Sequence, residues 1–189
     1  MITDLRLVTP NPVLKPTISN IATGRDADLE RQLVEKSHQP HILEHTPNDA
    51  AKRFTSAEAL TEWLQNDRRI YWLVGPKHDL AGIVWFGPKE FPLDMQLPVK
   101  PTDTFAIRLY EGYTGKGLAN PFLAQAFELE AEWAKGRGEL PPIVWGETDA
   151  DNPAALSTYL KNGFQRIHQQ GKRITLVRPI TPIKLGESA

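Results

Sequence analysis

The stretch LYEGYTGKGLA, residues 109–119, places three glycines between a predicted strand over residues 104–110 and a predicted helix. The apolar residues after the turn recur at the three- and four-residue spacing of a helix: Leu118, Phe122, Ala126, Leu129 and Trp133. Glycine lets a backbone approach a ligand closely, and the first N–H groups of a helix lack internal partners. Because these groups lie at the positive end of the helix dipole, the stretch indicates an anion site, most naturally for phosphate.

The stretch matches neither of two common nucleotide-binding motifs. A Walker A loop requires Ser or Thr after Gly-Lys, but Gly115-Lys116 is followed by Gly117. A dinucleotide fingerprint requires G-x-G-x-x-G, whereas the spacing of Gly112, Gly115 and Gly117 runs in the reverse sense. On spacing alone, a turn that merely connects strand and helix stays equally open.

The remaining pattern predicts helices that cover a sheet. Strands are predicted over residues 17–23, 70–74, 80–86, 143–148, 164–168 and 173–178, and helices over residues 26–37, after Ser56 and after Asp151 or Asn152. Residues 38–55 contain two prolines and predict mostly loop. This order favours an α+β or mixed α/β layer over residues 17–180, with an extension over 1–16 and a tail over 181–189.

Composition narrows the functional classes. The chain has 189 residues, 40% of them apolar, so one domain with a sizeable core is expected. The 22 Lys and Arg nearly balance the 23 Asp and Glu, which predicts neither nucleic-acid nor membrane-surface binding. The absence of cysteine excludes disulfides and a cysteine acyl-enzyme. No apolar run reaches transmembrane length, and we expect a cytoplasmic protein.

Two motifs in order resemble the GNAT superfamily of N-acetyltransferases. Residues 114–119 resemble its pyrophosphate loop, Q/R-x-x-G-x-G/A, with Gly117 and Ala119 at the last two defined positions and Thr114 in place of Gln or Arg. Residues 152–164 resemble its N-x-x-A-x-x-x-Y-x-x-x-G-F helix. The resemblance covers residues 104–177 well and implies a mostly antiparallel sheet, splayed between its fourth and fifth strands and flanked by helices.

The resemblance also implies roles for individual residues with acetyl-coenzyme A as cosubstrate and no metal. The fourth strand, at Ile107 and Leu109, would offer backbone groups to the pantetheine arm, and Asn152 would contact the cosubstrate. The pyrophosphate would lie on the turn formed by Thr114, Gly115, Lys116, Gly117, Leu118 and Ala119. Such folds often form homodimers, although no segment here specifies an interface.

Acetyl transfer to an amine requires a neutral amine, donors for the carbonyl oxygen and a proton for the leaving thiolate. Tyr159 is the candidate proton donor, since a phenol carries its proton at neutral pH. Glu147 is the candidate base by its resemblance to a strand glutamate of GNAT members that acetylate protein N-termini, although Gly146 replaces the usual leucine before it. Glu111, close to the glycine turn, is a second candidate base.

The sequence is also compatible with other functions. Thr114 at the Gln/Arg position favours a non-catalytic acyl-CoA-binding domain that acts as a sensor or interaction module. The string His41-Ile42-Leu43-Glu44-His45 fits the H-x-x-E-H motif of inverted zinc proteases, or a loop over the acceptor pocket. Trp72 and Trp85 are candidates to line that pocket. The acceptor, a small-molecule or protein amine, is not specified by any motif.

Overall fold

A computed structural model describes residues 6–7, 26–140 and 142–179. The helices are α1 (Ala27–Lys36), α2 (Pro40–His45), α3 (Ala57–Gln65), α4 (Ala119–Gly136) and α5 (Pro153–Lys161), with a π-helical turn at Asp49–Arg53. The strands are β1 (Arg6–Leu7), β2 (Arg69–Val74), β3 (Leu80–Pro88), β4 (Asp103–Leu109), β5 (Ile143–Asp149), β6 (Gln165–Gln170) and β7 (Arg173–Pro179). They form one seven-stranded sheet in the order β1-β2-β3-β4-β5-β7-β6.

The predicted hairpin and helix starts are confirmed. β2 and β3 pair antiparallel around the turn at residues 75–79, where Gly75 N–H donates to the Asp79 carbonyl at 2.7 Å. The Ser56 hydroxyl accepts from Ala59 N–H at the start of α3, which supplies a partner to an otherwise orphan donor. The predicted strand over residues 17–23 lies outside the described residues, whereas β1 pairs with β2 from within the predicted extension.

The sheet has a hydrophobic core on each face. One core lies under α1, α2 and α3, and its centre is formed by Leu33, Phe54, Leu60, Ile83 and Trp85. The other lies under α4 and α5, and its centre is formed by Phe86, Phe105, Leu123, Phe127, Phe164 and Leu176. β2, β3 and β4 supply side chains to both cores, because successive residues of a strand point to opposite faces.

β4 and β5 are neighbours over only two residue pairs. They run parallel, with Asp103 opposite Val144 and Thr104 opposite Trp145, and no further pair follows between these described strands. By contrast, β3–β4 and β5–β7 are paired over seven residues each. The two strands therefore diverge from residue 105 onward, and the predicted mostly antiparallel sheet with a splay between its fourth and fifth strands is confirmed.

The segment predicted as loop over residues 38–55 is largely helical, so that prediction is wrong. Pro40 occupies the first turn of α2, where a missing N–H costs nothing. The π-helical turn is held by Asp49, which is 1% exposed and accepts from both Arg53 and Arg108. Because Arg108 lies 59 residues along the chain, this stabilisation is not readable from local sequence.

A buried polar network connects β2 to α4. Arg69 donates to Glu130 Oε1 at 2.7 Å and to the Asp103 carboxylate, while the Tyr71 hydroxyl donates to Glu130 Oε2 at 2.9 Å. Trp133 lies under the guanidinium, 4.3 Å from ring centroid to Cζ. Each buried charge thus has a partner, as burial demands. The network fixes α4 against the sheet, with the first residues of α4 beside the splay.

Candidate functional site

A cavity of about 690 Å³ lies where β4 and β5 diverge. Its walls come from both strands, the glycine turn, α2 and the residues after it, and α5. Tyr159 on α5, Asn152 at the start of the same helix and Glu147 on β5 all line it. The splay is the physical cause, because a continuous sheet would fill this space with backbone hydrogen bonds.

The glycine turn provides backbone conformations that other residues avoid. Gly112, Gly115 and Gly117 have φ of +83°, +70° and +73°, in the left-handed region. A Cβ at any of the three would meet nothing within 4 Å, so backbone conformation rather than space explains these glycines. α4 then begins at Ala119, and no side chain of the described residues caps it. Its first N–H groups are therefore left for solvent or a ligand.

The predicted cosubstrate residues divide into two groups. Ile107, Leu109, Thr114, Gly115, Ala119 and Asn152 line the cavity. Lys116, Gly117 and Leu118 do not: the Lys116 ammonium lies 5.5 Å from the centroid of the Tyr113 ring, and Leu118 packs against the α4–α5 core. Gly117 has no side chain, so any contribution of this residue to anion binding comes from its main chain. The role of the three residues stays a prediction.

Alternate residues of β4 face the open gap. Tyr110 N–H donates to the Ala81 carbonyl at 3.0 Å, so the antiparallel alternation turns the main chain of Ile107 and Leu109 away from β3. The Ile107 carbonyl accepts from Arg108 Nη1 at 2.8 Å, and the Leu109 carbonyl accepts from His41 Nε2 at 3.1 Å. With these carbonyls engaged, the N–H groups of the same residues are what the strand offers to a ligand.

Tyr159 lies at the base of the cavity and is 6% exposed. Phe105 and Phe164 hold its ring, with centroid distances of 5.1 and 5.5 Å. Burial raises the pKa of the Tyr159 phenol, while the positive charges of Arg108 and Arg173 partly oppose that shift. The hydroxyl has no hydrogen-bond partner within the described part of the chain, so its proton is available to a ligand.

Glu147 lines the same cavity from β5, and its side chain is 24% exposed. Arg173 approaches it at 3.4 Å and also approaches Asp149 at 3.1 Å, so β7 supplies the counter-charge for both carboxylates. Glu111, the second candidate base, is exposed on the turn and does not line the cavity. The geometry therefore favours Glu147 over Glu111 as a base.

Asn152 also has the capping role that the sequence predicted for Asp151 or Asn152. Its Oδ1 accepts from Ala155 N–H at 3.1 Å and so caps α5, the helix that carries Tyr159. Pro153 follows in the first turn, as predicted. The capping bond uses the amide oxygen, which leaves the Nδ2 donor for a cavity ligand.

Sequence analysis missed the polar residues that enter the cavity from the α1–α3 face. Arg108 side-chain exposure is 10%, and Asp49 accepts from its Nε at 2.7 Å. Burial alone would lower the pKa of Arg108, but the Asp49 carboxylate outweighs it and raises that pKa, so the guanidinium stays charged. Arg53 and Lys89 also line the cavity. An arginine within the apolar strand FAIRL was the one available signal, because buried charges require partners.

The H-x-x-E-H string forms one wall of the cavity. His41, Glu44 and His45 line the cavity from α2, which agrees with the alternative reading of a segment over the acceptor pocket. His41 Nε2 is engaged by the Leu109 carbonyl. Across residues 26–140 and 142–179 no group of three or more His, Asp or Glu side chains is arranged to hold a metal ion. Trp85 lines the cavity and Trp72 does not.

A seven-stranded sheet splayed at β4–β5, with a glycine turn before α4 and a cavity at the splay, is the GNAT fold. Spermidine N-acetyltransferase from Vibrio cholerae, in complex with CoA and spermine, has a TM-score of 0.60 to this chain, with 13% identity, covering 93% of this chain and 94% of its own. AAC(6')-Ib in complex with ribostamycin and coenzyme A has a TM-score of 0.59, with 14% identity, over 98% and 99%.

A third solved structure, an uncharacterized protein from Bacillus halodurans, has a TM-score of 0.58 and 16% identity, covering 81% of this chain and 79% of its own. Neither a protein-family model nor a curated protein matches the sequence. At such low identities the likeness establishes the fold. None of the described helices is both long and apolar enough to cross a membrane.

Proposed function

We propose that this protein is an acetyl-CoA-dependent N-acetyltransferase that moves an acetyl group to a primary amine by direct transfer in a ternary complex. The observation that carries the proposal is the cavity at the β4–β5 splay, which brings together Tyr159, Glu147 and the glycine turn. The CoA and acceptor molecules named in the two matched transferase structures support the same reading.

The residues present fit the cosubstrate. The left-handed turn and the uncapped start of α4 leave main-chain donors for a diphosphate, and these donors do not depend on the side chain of Thr114. The free N–H groups of Ile107 and Leu109 suit amide carbonyls of an extended arm, while Asn152 Nδ2 adds a donor. Acetyl-CoA would supply an activated acetyl thioester.

The chain's own groups then divide the proton transfers. Glu147, or a water held by it, takes the proton that the amine loses as its nitrogen bonds to the acetyl carbon. Tyr159 gives its proton to the departing sulfur as the carbon–sulfur bond breaks, and the phenol regains a proton from solvent. Burial raises the pKa of Tyr159, so the phenol carries its proton when the carbon–sulfur bond begins to break.

Calorimetry with acetyl-CoA and a thiol-release assay with a panel of amines test the proposal together. We expect one-to-one uptake of acetyl-CoA and amine-dependent release of free CoA. Uptake without release for any amine would instead support the non-catalytic acyl-CoA-binding alternative. If the folded protein takes up neither acetyl-CoA nor CoA, both readings are wrong.

Three further expectations belong to the proposal and are carried from the sequence. The protein is expected to be cytoplasmic and to bind neither nucleic acid nor membranes. It is also expected to form a homodimer, as proteins of this fold often do. The near-balance of charge supports the second expectation, since a strong basic patch would be needed to attract polyanions. Gel filtration and a nucleic-acid retention assay check the last two.

A further inference from the structure

Three buried nitrogen donors next to the cavity have no acceptor within the described residues. They are Nε1 of Trp85 and both Nε and Nη1 of Arg68. Trp85 lines the cavity and is 4% exposed, while the guanidinium of Arg68 lies 5.4 Å from its ring centroid. A buried donor without a partner costs free energy comparable to a lost hydrogen bond. Their clustering therefore indicates a place that an acceptor group fills.

Positive charges converge on the same place. Arg53 also lies 5.4 Å from the Trp85 ring centroid, and Lys89 lies 4.6 Å from the centroid of Trp145, which lines the cavity opposite. Burial lowers the pKa of Lys89, and Arg53, Arg173 and Arg68 lower it further by repulsion, while Glu147 opposes them. These cations are therefore close enough to raise each other's free energy.

The neighbouring carboxylates do not neutralise this cluster. Asp49 is shared between Arg53 and Arg108, and Arg173 already holds Glu147 and Asp149. Neither Arg68 nor Lys89 has a carboxylate of the described residues within 4 Å. Glu44, the remaining carboxylate of the lining, is exposed on α2. One negative group from a ligand in the cavity would give Trp85 Nε1 an acceptor and offset the excess positive charge.

We propose that the acceptor amine carries a carboxylate, as an amino acid does, and that Trp85 and Lys89, which line the cavity, bind it, with Arg53 and Arg68 adjacent. This inference rests on the proposed acetyl transfer and names its substrate class. The anion site lies on the α1–α3 face of the sheet, where Trp85 pairs with Ala106, and the glycine turn lies beyond the far end of β4. An acceptor bound by its carboxylate can therefore extend its amine toward Glu147. A polyamine would add positive charge to an already repulsive cluster.

The test compares matched acceptors in the thiol-release assay. Each of a set of amino acids is paired with its amide and with the amine left after removal of the carboxylate, and spermidine is included. We expect the preferred acid to exceed its amide and its amine in kcat/KM by about 10- to 100-fold, the range expected for a hydrogen bond to a charged group. Trp85→Phe and Lys89→Met should each lower that ratio about tenfold.

Two matched variants serve as controls. Trp72→Phe makes the same change on the same sheet face outside the cavity, and Lys77→Met removes an exposed turn lysine. Both should leave the ratio unchanged. Should the amide, the amine or spermidine equal or exceed the acid, or should Lys89→Met leave the ratio intact, the inference is overturned while acetyl transfer stands. Absence of acetyl-CoA uptake, measured separately by calorimetry, overturns the proposed function and the inference with it.

Discussion

The ring of Phe105 fills the space that a side chain at Gly146 would need: a Cβ there would lie 2.5 Å from Phe105 Cε1. The same ring stacks on Phe164 at 4.6 Å and meets Tyr159 edge-on. The leucine that the GNAT resemblance led us to expect before Glu147 is absent because β4 supplies an aromatic ring in its place. Glycine at position 146 thus leaves room for the Phe105 ring, which packs against Tyr159, the candidate proton donor. Glu147 keeps its place on β5.

Leucine at position 146 should therefore damage this protein. Overpacking a well-filled core typically costs about 1–3 kcal/mol, so Gly146→Leu should lower the free energy of unfolding by that amount in urea titrations. In the background of Phe105→Ala, which is itself destabilising, Gly146→Leu should cost less than it does in the wild type. As a control, Gly136→Ala, where a Cβ meets nothing, should leave stability equal or higher. Equal stability of Gly146→Leu and wild type would contradict the packing argument.

Removing the charge of Glu130 should measure how much its buried ion pair with Arg69 stabilises the packing of α4 against the sheet. Losing one partner of a buried charge costs about 1–3 kcal/mol when another partner remains, as Asp103 does for Arg69. Glu130→Gln should show a loss of this size in the free energy of unfolding. The matched change Glu139→Gln removes an exposed pair with Arg137, which should matter by less than about 1 kcal/mol. If the two changes lowered the free energy of unfolding equally, the buried pair would contribute no more to stability than the exposed pair.

Tyr159→Phe should fold normally and bind acetyl-CoA with wild-type affinity. Turnover should fall about 10²- to 10⁴-fold, the usual contribution of a positioned acid. Since burial raises the pKa of the phenol, deprotonation of Tyr159 should not reduce wild-type activity before about pH 10. A variant with nearly full turnover, or a wild-type rate that collapses near pH 8, would remove Tyr159 from the mechanism.

Glu147→Gln should change the pH profile rather than cosubstrate binding. If Glu147 takes the proton of the amine, the rate of the variant should depend on the fraction of amine that is already neutral. Its activity should be lost chiefly at lower pH and recover partly as pH rises toward the pKa of the amine. Glu111→Gln, outside the cavity, is the control and should follow the wild-type curve. A Glu147→Gln profile that keeps the wild-type shape would exclude the residue as base.

Gly117→Ala should weaken acetyl-CoA binding. Its φ of +73° costs an ordinary residue about 1–2 kcal/mol, so relaxation of the turn would turn main-chain donors away from the diphosphate. Calorimetry should show an affinity loss of about tenfold or more. Gly171→Ala imposes comparable strain, at φ +57°, in the β6–β7 turn far along the chain. An equal affinity loss in both variants would point to general destabilisation instead.

Local patterns predicted the elements well where local interactions form them. The hairpin of β2 and β3, the Ser56 cap and the glycine turn all depend on residues within a few positions of one another. The splay followed from the resemblance, because its two short motifs lie on either side of it. These parts of the candidate site were accessible from sequence.

The cavity wall on the α1–α3 face could not be predicted from sequence, because contacts across long chain separations create it. Asp49 becomes a buried anchor only through Arg108, and Trp85 loses its hydrogen-bond partner only in the packed molecule. The prediction of a loop over residues 38–55 therefore missed a helical segment that forms one wall of the cavity. Its prolines predicted a break in regular structure, whereas Pro40 in fact starts α2.

The two-pair contact between β4 and β5 has a consequence for how the molecule resists force. The main-chain continuity of the sheet is interrupted there, so the halves β1–β4 and β5–β7 are joined mainly by side chains beneath α4 and α5. A ligand that contacts both β4 and β5 would take the place of a strand between them and connect the two halves of the sheet. Hydrogen exchange in both strands should then become slower.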